Sequence, residues 1–280
     1  MLKRSLPKDL WALYFRARVK KLKGVNQGLM NHPILLNENR KFLLSELAPT
    51  ANYHGWCDLV IKKKFKSRKN QVYLLEKKNY PAMTINQIVV KKYPSCERLE
   101  KEVSLLRMLH ASGLTVPDII LVQENILFLD YINGVLFLDY LEICEKNFTP
   151  AQEMLSVIVK LSNWLNDFYK LTKHHYGKAY SYGDLNARNF ILTDDGIWGI
   201  DLEDASPLEP PEYDLAGLCA NLLTYDPPFT PWKIALSRIL YDQFSAIIPL
   251  DREQFREIWG PLLNSLAERR KVQIPQDFRL

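Results

Sequence analysis

The chain has 280 residues, of which 47% are hydrophobic and 25% are charged, with a formal net charge of +5. This length allows one large domain or two modest lobes, and the composition is that of a globular protein. No apolar run reaches the roughly 18–20 residues that a membrane span needs, and the charged start is unlike a signal peptide. The four cysteines lie far apart, so we expect buried thiols in a reducing cytoplasm and no zinc site.

The positive charge is concentrated in the first hundred residues, with 21 Lys and Arg against 7 Asp and Glu, whereas the rest of the chain has 16 against 25. A basic half beside an acidic half suits a site that holds polyphosphate on one side and metal on the other. The lysine-rich run 62–69 also fits a solvated loop, which is the commoner role of such runs. Contact of the basic half with an anionic surface is a further alternative, and no nucleic acid partner is expected.

Residues 1–50 are predicted to form an N-terminal helical extension. Apolar residues recur at helical spacing between Asp9 and Lys23, with basic residues between them. This pattern is typical of an amphipathic helix with a cationic face. Packing against the next part of the chain and binding to a membrane surface would both use such a helix.

The chain then changes to predicted strands. Three β-prone runs at 57–61, 71–75 and 87–91 are separated by polar, turn-rich segments and predict three antiparallel strands. An apolar stripe at helical spacing predicts a helix that ends before Gly113. Two more strands are predicted at 119–122 and 126–129.

Helices dominate the predicted second half. Thr149, Thr230 and Asp251 are predicted N-caps, and proline follows the two threonines directly. The first of these helices carries a stripe of five apolar residues that we expect to be buried. They are Met154, Ile158, Leu161, Leu165 and Phe168.

A cluster of Asp and Asn residues lies between these helices. Two short apolar runs flank the turn at 193–196 and predict a β-hairpin. If the chain folds back about Asp195, Asn189 lies beside Asp201, because both are equally far from the turn. Asp184 lies five residues before Asn189, in a polar segment that can curl back to the same point. Each residue alone fits an ordinary turn, but together they offer oxygen ligands that suit magnesium.

These segments resemble the catalytic and metal-binding segments of the protein-kinase-like superfamily. That family has H-[RG]-D-x-x-x-x-N where this chain has Y-G-D-L-N-A-R-N at 182–189, and D-F-G or I-D-[FW] where it has I-D-L-E-D at 200–204. Gly183 and the absence of glycine after Asp201 are most similar to the branch of aminoglycoside and choline phosphotransferases and lipopolysaccharide-core (Kdo/heptose) kinases. The resemblance covers roughly residues 56–225 and implies ATP and Mg²⁺ as cofactors.

The resemblance implies a role for each residue of these segments. Asp184 would orient an acceptor hydroxyl and accept its proton, while Asn189 and Asp201 would hold the magnesium ion. Glu203 would add a metal ligand or orient one. Arg188 is a supporting residue, at the arginine position of the similar D-L-A-A-R-N motif of tyrosine kinases.

The phosphate-binding lysine is implied by a second motif. Ile88-Val89-Val90-Lys91 resembles the V-x-[VI]-K of the family, whose lysine reaches the nucleotide phosphates and pairs with a helix glutamate. Lys92 faces the opposite side of the strand, so only one of the two lysines can serve, and Lys91 is our choice. Glu102 occupies the place of the helix glutamate, and Glu100 is the alternative. Without the resemblance, Lys91 would be interpreted as a surface lysine of a strand and Glu102 as a solvated glutamate of a helix.

Three further features complete the comparison with the family. Asp130, Tyr131 and Ile132 would form the hinge whose backbone holds the adenine. Asp214, in a segment similar to G-D-P-x-x-D-L-A, would brace the catalytic loop, or is an ordinary acidic residue at a helix start. Where the family has a glycine-rich flap over the phosphates, the turn 62–70 contains no glycine.

The predicted fold class is α+β, a two-lobed kinase-like fold. We expect the helical extension at 1–50, a small antiparallel-sheet lobe with one helix at 51–131, and a larger, mostly helical lobe at 132–280. The last of these would hold the catalytic loop, the metal site and the acceptor pocket.

The predicted function is transfer of the γ-phosphoryl group of ATP to a hydroxyl of a small-molecule, sugar or lipid-linked acceptor. Asn186 replaces the lysine that serine/threonine kinases carry two residues after the catalytic aspartate, which argues against that class. The alternatives are an atypical protein kinase of the RIO-like or tRNA-modification-complex type, and a catalytically weak binding protein with a kinase fold. We expect a cytoplasmic location, with peripheral attachment to the inner face of the membrane as the alternative.

Overall fold

The structure, a computed structural model, describes residues 59–67, 69–77, 87–276 and 278. The predicted helix between Asp9 and Lys23 and the rest of the N-terminal extension lie outside the described residues. The described residues divide into two compact units. The first unit holds 59–65, 73–77 and 87–88, and the second holds the others.

The first unit contains β1 (Leu59–Phe65) and most of β2 (Gln71–Lys77), which are neighbours in a sheet. Lys62 of β1 donates to Glu76 of β2 at 2.5 Å, and both side chains are partly exposed. β1 continues four residues beyond its predicted end at 61, because its consecutive lysines hide the alternation that marks a strand. The glycine-free turn therefore spans only 66–70.

The second unit contains a sheet with the strand order β3-β5-β4. Its strands are β3 (Gln87–Lys92), β4 (Ile119–Gln123) and β5 (Ile126–Asp130), and β4 pairs with β5 in antiparallel fashion. Helix α1 (Cys96–Ala111) follows β3 and buries its apolar face, as its spacing predicts. Burial of such faces is the main source of stability in a unit of this kind.

The rest of the second unit is mostly helical. Its helices are α2 (Phe137–Lys146), α3 (Leu155–Tyr176), α4 (Pro211–Thr224), α5 (Pro231–Ile247) and α6 (Arg252–Arg270). All five residues of the predicted apolar stripe on α3 and the turn before it are buried. None of the helices in the described ranges is long and apolar enough to cross a membrane.

Two of the three predicted N-caps are confirmed. The side chain of Thr230 accepts from Lys233 N at 3.2 Å, and that of Asp251 accepts from the first turn of α6. The prediction for Thr149 is wrong. Pro150, at φ −54° and ψ 134°, is outside the helical region, so a 3₁₀ turn at Ala151–Met154 precedes α3 and no side chain caps it.

The predicted hairpin forms, as part of a small sheet in the order β6 (Val135–Leu136), β7 (Phe190–Leu192) and β8 (Ile197–Gly199). Its register differs from the prediction by one residue. Thr193 and Gly196 bond to each other, so the turn is centred between Asp194 and Asp195. Asn189 consequently bonds Ile200, not Asp201, across the hairpin.

The cysteine prediction is correct in part. Cys96, Cys144 and Cys219 form no disulfide, and the last two are buried. Cys96 is exposed, contrary to the expected burial, because it is the first residue of α1, before the buried part of that helix begins at Leu99. Cys57 lies outside the described residues.

Candidate functional site

A buried lysine is at the centre of the candidate site. Lys91 on β3 is only 5% exposed, and its Nζ lies 2.7 Å from Oε2 of Glu102 on α1. The same ammonium donates to Asp201 and lies 3.4 Å from Glu203. Burial would lower the pKa of Lys91, but the three carboxylates outweigh it and raise this pKa well above its usual range. Lys91 is therefore a permanent cation in this site.

Glu102 is the principal partner of this lysine. It is 1% exposed and accepts hydrogen bonds from Lys91, from the Tyr93 hydroxyl at 2.5 Å and from Leu202 N at 3.2 Å. Burial raises the pKa of Glu102, and the ammonium beside it opposes that shift. Glu100 is exposed on the same helix, so the structure favours Glu102 over this alternative.

Three carboxylates lie around Lys91, and the guanidinium of Arg98 lies 3.9 Å from one of them, Glu203. One oxygen each from Glu102, Asp201 and Glu203 lie within 4.8 Å of one another. Oxygen donors at this spacing fit a hard divalent cation such as Mg²⁺ or Ca²⁺. Asp201 has a left-handed backbone with φ 66°, a conformation that is uncommon for residues with side chains and is concentrated at functional sites.

The loop that carries Asp184 is shaped by its own amide side chains. Nδ2 of Asn186 and Nδ2 of Asn189 each donate to the backbone carbonyl of Asp184 at 2.9 Å. The bond from Nδ2 of Asn189 fixes the orientation of that amide and leaves its Oδ1 as the atom that can bind a cation. The Asp184 side chain is exposed to solvent.

Gly183 allows this loop to approach the segment after Asp201. Its φ of +85° is left-handed, and a Cβ at this position would lie 2.4 Å from the carbonyl oxygen of Asp204. Both facts exclude a side chain at this position. Glycine therefore brings the loop with Asp184 into contact with the acidic segment.

Asp214 braces this loop from the first turn of α4. It is 1% exposed and accepts from Tyr182 N at 2.6 Å, Gly183 N at 3.1 Å and the Tyr169 hydroxyl at 2.9 Å. Burial raises its pKa to about 7, although these three donors oppose the shift. An ordinary acidic residue at a helix start would not contact the loop, so the structure favours the bracing role.

Tyr182 occupies the position at which the resembling family has histidine. It is fully buried and packs against Trp164 and Phe190, and its hydroxyl donates to the carbonyl of Ile200. The hydroxyl therefore connects the start of the loop to the residue before Asp201. Tyrosine at this position both packs and donates a hydrogen bond.

The turn before β2 contacts the acidic segment. Lys69 pairs with Asp204, and Nδ2 of Asn70 donates to Glu203 at 2.5 Å. Oδ1 of Asn70 is buried and has no hydrogen-bond partner among the described residues. In this turn, lysine and asparagine side chains occupy the positions at which the family has a glycine-rich flap.

Several residues of this site are not predicted from the sequence. Tyr93 follows Lys91 by two positions on β3, so the period of a strand places both on one face and could have identified it. Asn70, Asp204 and Tyr169 gave no local signal, because their partners are 133, 135 and 45 residues away in the sequence.

The predicted hinge follows β5. Asp130 is the last residue of that strand, and its backbone N–H bonds the carbonyl of Asp118 at 3.0 Å. Tyr131 and Ile132 lie in the irregular segment that follows, and both are partly buried. In the described part of the chain, no hydrogen bond or ion pair joins this segment to Lys91 or to the loop of Asp184.

The geometry assembled here is that of the protein-kinase-like fold: a strand lysine paired with a helix glutamate, a braced Asp-to-Asn loop, and an aspartate after the hairpin. The chain belongs to the RIO domain family, whose model matches residues 59–214, more than half of the chain. A comparison of the sequence with curated proteins finds no match.

Solved structures that this chain resembles include small-molecule kinases. An aminoglycoside phosphotransferase, APH(3'')-Id from Streptomyces rimosus, matches at a TM-score of 0.50 and 14% identity, over 81% of this chain and 96% of that one. The amicoumacin kinase hAmiN, in complex with AMP-PNP, Ca²⁺ and Ami, matches at a TM-score of 0.54 and 12% identity, over 82% of this chain and 92% of that one. A choline kinase from Cryptosporidium parvum matches at a TM-score of 0.44 and 13% identity, over 81% of this chain and 88% of that one.

These comparisons confirm the predicted fold class and the resemblance to the protein-kinase-like superfamily. The structure brings Lys91, Glu102, Asp201 and Glu203 into one cluster. It joins Asp184 and Asn189 through the loop.

Proposed function

We propose that this chain transfers the γ-phosphoryl group of ATP to a hydroxyl of a small-molecule, sugar or lipid-linked acceptor. The observation that carries the proposal is the position of Lys91. This buried cation is held by Glu102 and directed at Asp201, the aspartate that follows the hairpin. A lysine in this position can neutralise the charge on the α- and β-phosphates of a nucleotide.

In the proposed reaction, Asp184 orients the acceptor hydroxyl and accepts its proton. The acceptor oxygen forms a bond to the γ-phosphorus, the bond from that phosphorus to the β,γ-bridging oxygen breaks, and ADP leaves. The bracing of the loop by Asp214 keeps Asp184 in place, and catalysis of this type is mainly positioning and electrostatics.

Carboxylate oxygens of Asp201 and Glu203 lie within 4.8 Å of each other, a spacing that suits a divalent cation. Oδ1 of Asn189 and the carboxylate of Asp201 would hold it, with Glu203 as a further ligand or as the residue that orients Asp201. A bound Mg²⁺ would neutralise charge on the β- and γ-phosphates. The solved structure of the amicoumacin kinase hAmiN contains AMP-PNP and Ca²⁺. This supports the proposal that ATP and a divalent metal are the cofactors of this chain.

Asn186 favours a small-molecule acceptor over an ordinary protein substrate. Serine/threonine kinases carry lysine here, but both polar ends of the Asn186 side chain are used inside the loop. Its Nδ2 donates to the carbonyl of Asp184, and its Oδ1 accepts from Arg188 N at 2.9 Å. The residue therefore shapes the loop and supplies no charge to the transferred group.

A screen of acceptors with labelled ATP tests the proposal. We expect turnover that depends on Mg²⁺ and on an added sugar or lipid. Asp184→Asn and Asp201→Asn should each lower the rate about a hundredfold or more, since each removes an interaction with the reacting groups. Asp195→Asn changes an exposed aspartate of the hairpin turn in the same way and is the matched control. Equal rates for all four proteins would refute the proposal.

The second candidate function is that of an atypical protein kinase, which the match to the RIO domain favours. It predicts phosphorylation of the chain itself or of an added protein without any sugar or lipid. Phosphoamino acid analysis after incubation with labelled ATP separates the two candidates, and Asp184→Asn must abolish the label in either case.

The third candidate is a binding protein that has lost catalysis, which the glycine-free turn before β2 favours. A thermal-shift assay tests it. Absence of Mg²⁺-dependent stabilisation at millimolar ATP would support a binding protein over either enzyme, because a ligand stabilises the folded state whenever its concentration exceeds its Kd.

A further inference from the structure

Two arginines flank one tyrosine ring near the loop that carries Asp184. The guanidinium carbon of Arg188 lies 5.2 Å from the centroid of the Tyr225 ring, and that of Arg270 lies 4.4 Å from it. Both distances are within the range of cation–π contacts. Arg188 belongs to the loop itself, four residues after Asp184, whereas Arg270 ends α6.

Arg270 has a structural role in this cluster. It donates to the backbone carbonyl of Asn221 at 2.9 Å, to the Asn221 side chain and to Thr224 Oγ1 at 2.6 Å. These bonds satisfy acceptors near the end of α4, directly before Tyr225. The buried ammonium of Lys233 donates to the carbonyl of Tyr225 at 3.1 Å. Tyr225 is therefore held at its ring by Arg270 and at its backbone carbonyl by Lys233.

Arg188 has no comparable structural role. Its side chain is exposed, and its contact among the described residues is with the ring of Tyr225; it forms no ion pair there. A guanidinium has five N–H donors, and stacking on a ring leaves their outer edge available. The two arginines together place two positive charges beside the loop.

The cluster lies within electrostatic reach of Asp184. Burial raises the pKa of Tyr225, the charges of Arg188 and Arg270 lower it, and the carboxylate of Asp184 raises it again. The charge of Arg188 also contributes to the lowered pKa of Arg270, of which burial is the largest cause. The loop itself joins the two residues, because Asn186 donates to the carbonyl of Asp184 at 2.9 Å and accepts from Arg188 N at 2.9 Å. A molecule whose hydroxyl is bound at Asp184 would therefore lie close to Arg188.

We propose that Arg188 binds an anionic group, a phosphate or a carboxylate, that the acceptor carries near the hydroxyl bound at Asp184. Tyr225, fixed by Arg270, is the platform that positions the guanidinium. A planar guanidinium suits such groups because it can donate two parallel hydrogen bonds to them. This inference rests on the proposed phosphotransferase function and narrows its acceptor to anionic sugars and lipids.

Calorimetric titration of the full chain tests the inference. The protein is first saturated with Mg²⁺ and AMP-PNP, so that anions cannot occupy the nucleotide phosphate site. Glucose 6-phosphate, glucuronate and glucose are then titrated as a phosphate, a carboxylate and a neutral probe. We expect the two anionic sugars to bind roughly tenfold or more tightly than glucose, the usual effect of a charge-assisted hydrogen bond.

Variants identify the residue responsible. Arg188→Gln should weaken binding of both anionic sugars about tenfold to a hundredfold and leave glucose unchanged. Arg188→Lys keeps the charge without the planar fork, so it should weaken binding of the anionic sugars less than Arg188→Gln does. Arg256→Gln removes an exposed arginine of α6 outside the cluster and should leave all three affinities unchanged. Circular dichroism and the melting temperature check that the variants fold.

The outcomes separate this inference from the function on which it rests. If Mg²⁺ and AMP-PNP bind but the anionic sugars bind no better than glucose, the inference is wrong and the proposed function stands. Unchanged anion binding in Arg188→Gln overturns it in the same way. If the first titration detects no binding of Mg²⁺ and AMP-PNP, the proposed function fails and the inference fails with it.

Discussion

Glu102 and Asp214 are two carboxylates of the same unit, each 1% exposed, and they are stabilised in different ways. Glu102 pairs with the ammonium of Lys91 and also accepts from a hydroxyl and a backbone N–H. Asp214 has no cationic partner among the described residues and accepts from two backbone N–H groups and a hydroxyl.

The difference shows which carboxylate belongs to a charge-dependent site. A buried carboxylate without a cation tends to bind a proton, and the pKa of Asp214 is accordingly raised to about 7. Its value to the protein is the geometry of the loop that it holds. Glu102 instead keeps a lysine in place beside two more carboxylates, an arrangement suited to binding charged groups.

The largest effect should come from removing the cation beside Glu102. Lys91→Met leaves a buried carboxylate unpaired, which costs about 3–5 kcal/mol of the free energy of unfolding. Denaturant titration measures the loss. The double variant Lys91→Met/Glu102→Gln should recover part of it, because the unpaired charge is gone. Lys92→Met, on the opposite face of β3, is the control and should cost far less.

Removing the other carboxylate should have a smaller effect. Asp214→Ala leaves the N–H groups of Tyr182 and Gly183 buried without acceptors, which costs about 2–3 kcal/mol. The expected loss of activity arises from misplacement of Asp184, so any anion-binding or nucleotide-binding affinity should change less than the turnover rate. Glu209→Ala, at an exposed position before α4, is the control, and an equal loss there would contradict the bracing role.

The comparison also predicts a dependence on pH. Asp214 binds its proton more tightly in the folded chain, at a pKa of about 7, than in the unfolded chain, at about 3.9. Its contribution to stability is complete below the unfolded value and is lost as the pH rises through about 7. Between pH 5 and pH 8 the free energy of unfolding of the wild type should fall by on the order of 2 kcal/mol relative to that of Asp214→Asn. A constant difference between the two proteins over this range would exclude the raised pKa.

A matched pair of tyrosine variants should show the smallest effects. Tyr93→Phe removes a hydrogen bond to the charged Glu102, at a cost of roughly 1.5–3 kcal/mol. Tyr169→Phe removes the equivalent bond to Asp214, which is partly neutral near pH 7, and should cost about 1 kcal/mol. Denaturant titration of both at pH 7 ranks them, and the reverse order would mean that Asp214 is the more strongly charged of the two.

Local patterns predicted the elements of this site but not the contacts between them. The hairpin and the strand of Lys91 follow from short apolar runs, and the choice of Lys91 and Glu102 came from the resemblance. The one-residue error in the hairpin register arose because Thr193 and Gly196 pair, which only the backbone geometry shows. The bonds of Asn70 and Lys69 to the acidic segment join residues more than 130 positions apart, a distance that no local pattern encodes.

Gly183 has a consequence for how this chain tolerates mutation. A methyl group there would have to displace the backbone of Asp204, and with it the neighbouring Glu203 and Asp201. A saturation mutagenesis experiment would therefore mark position 183 as intolerant, although the residue has no reactive group. Its sensitivity would measure how rigidly two stretches of backbone are fitted together.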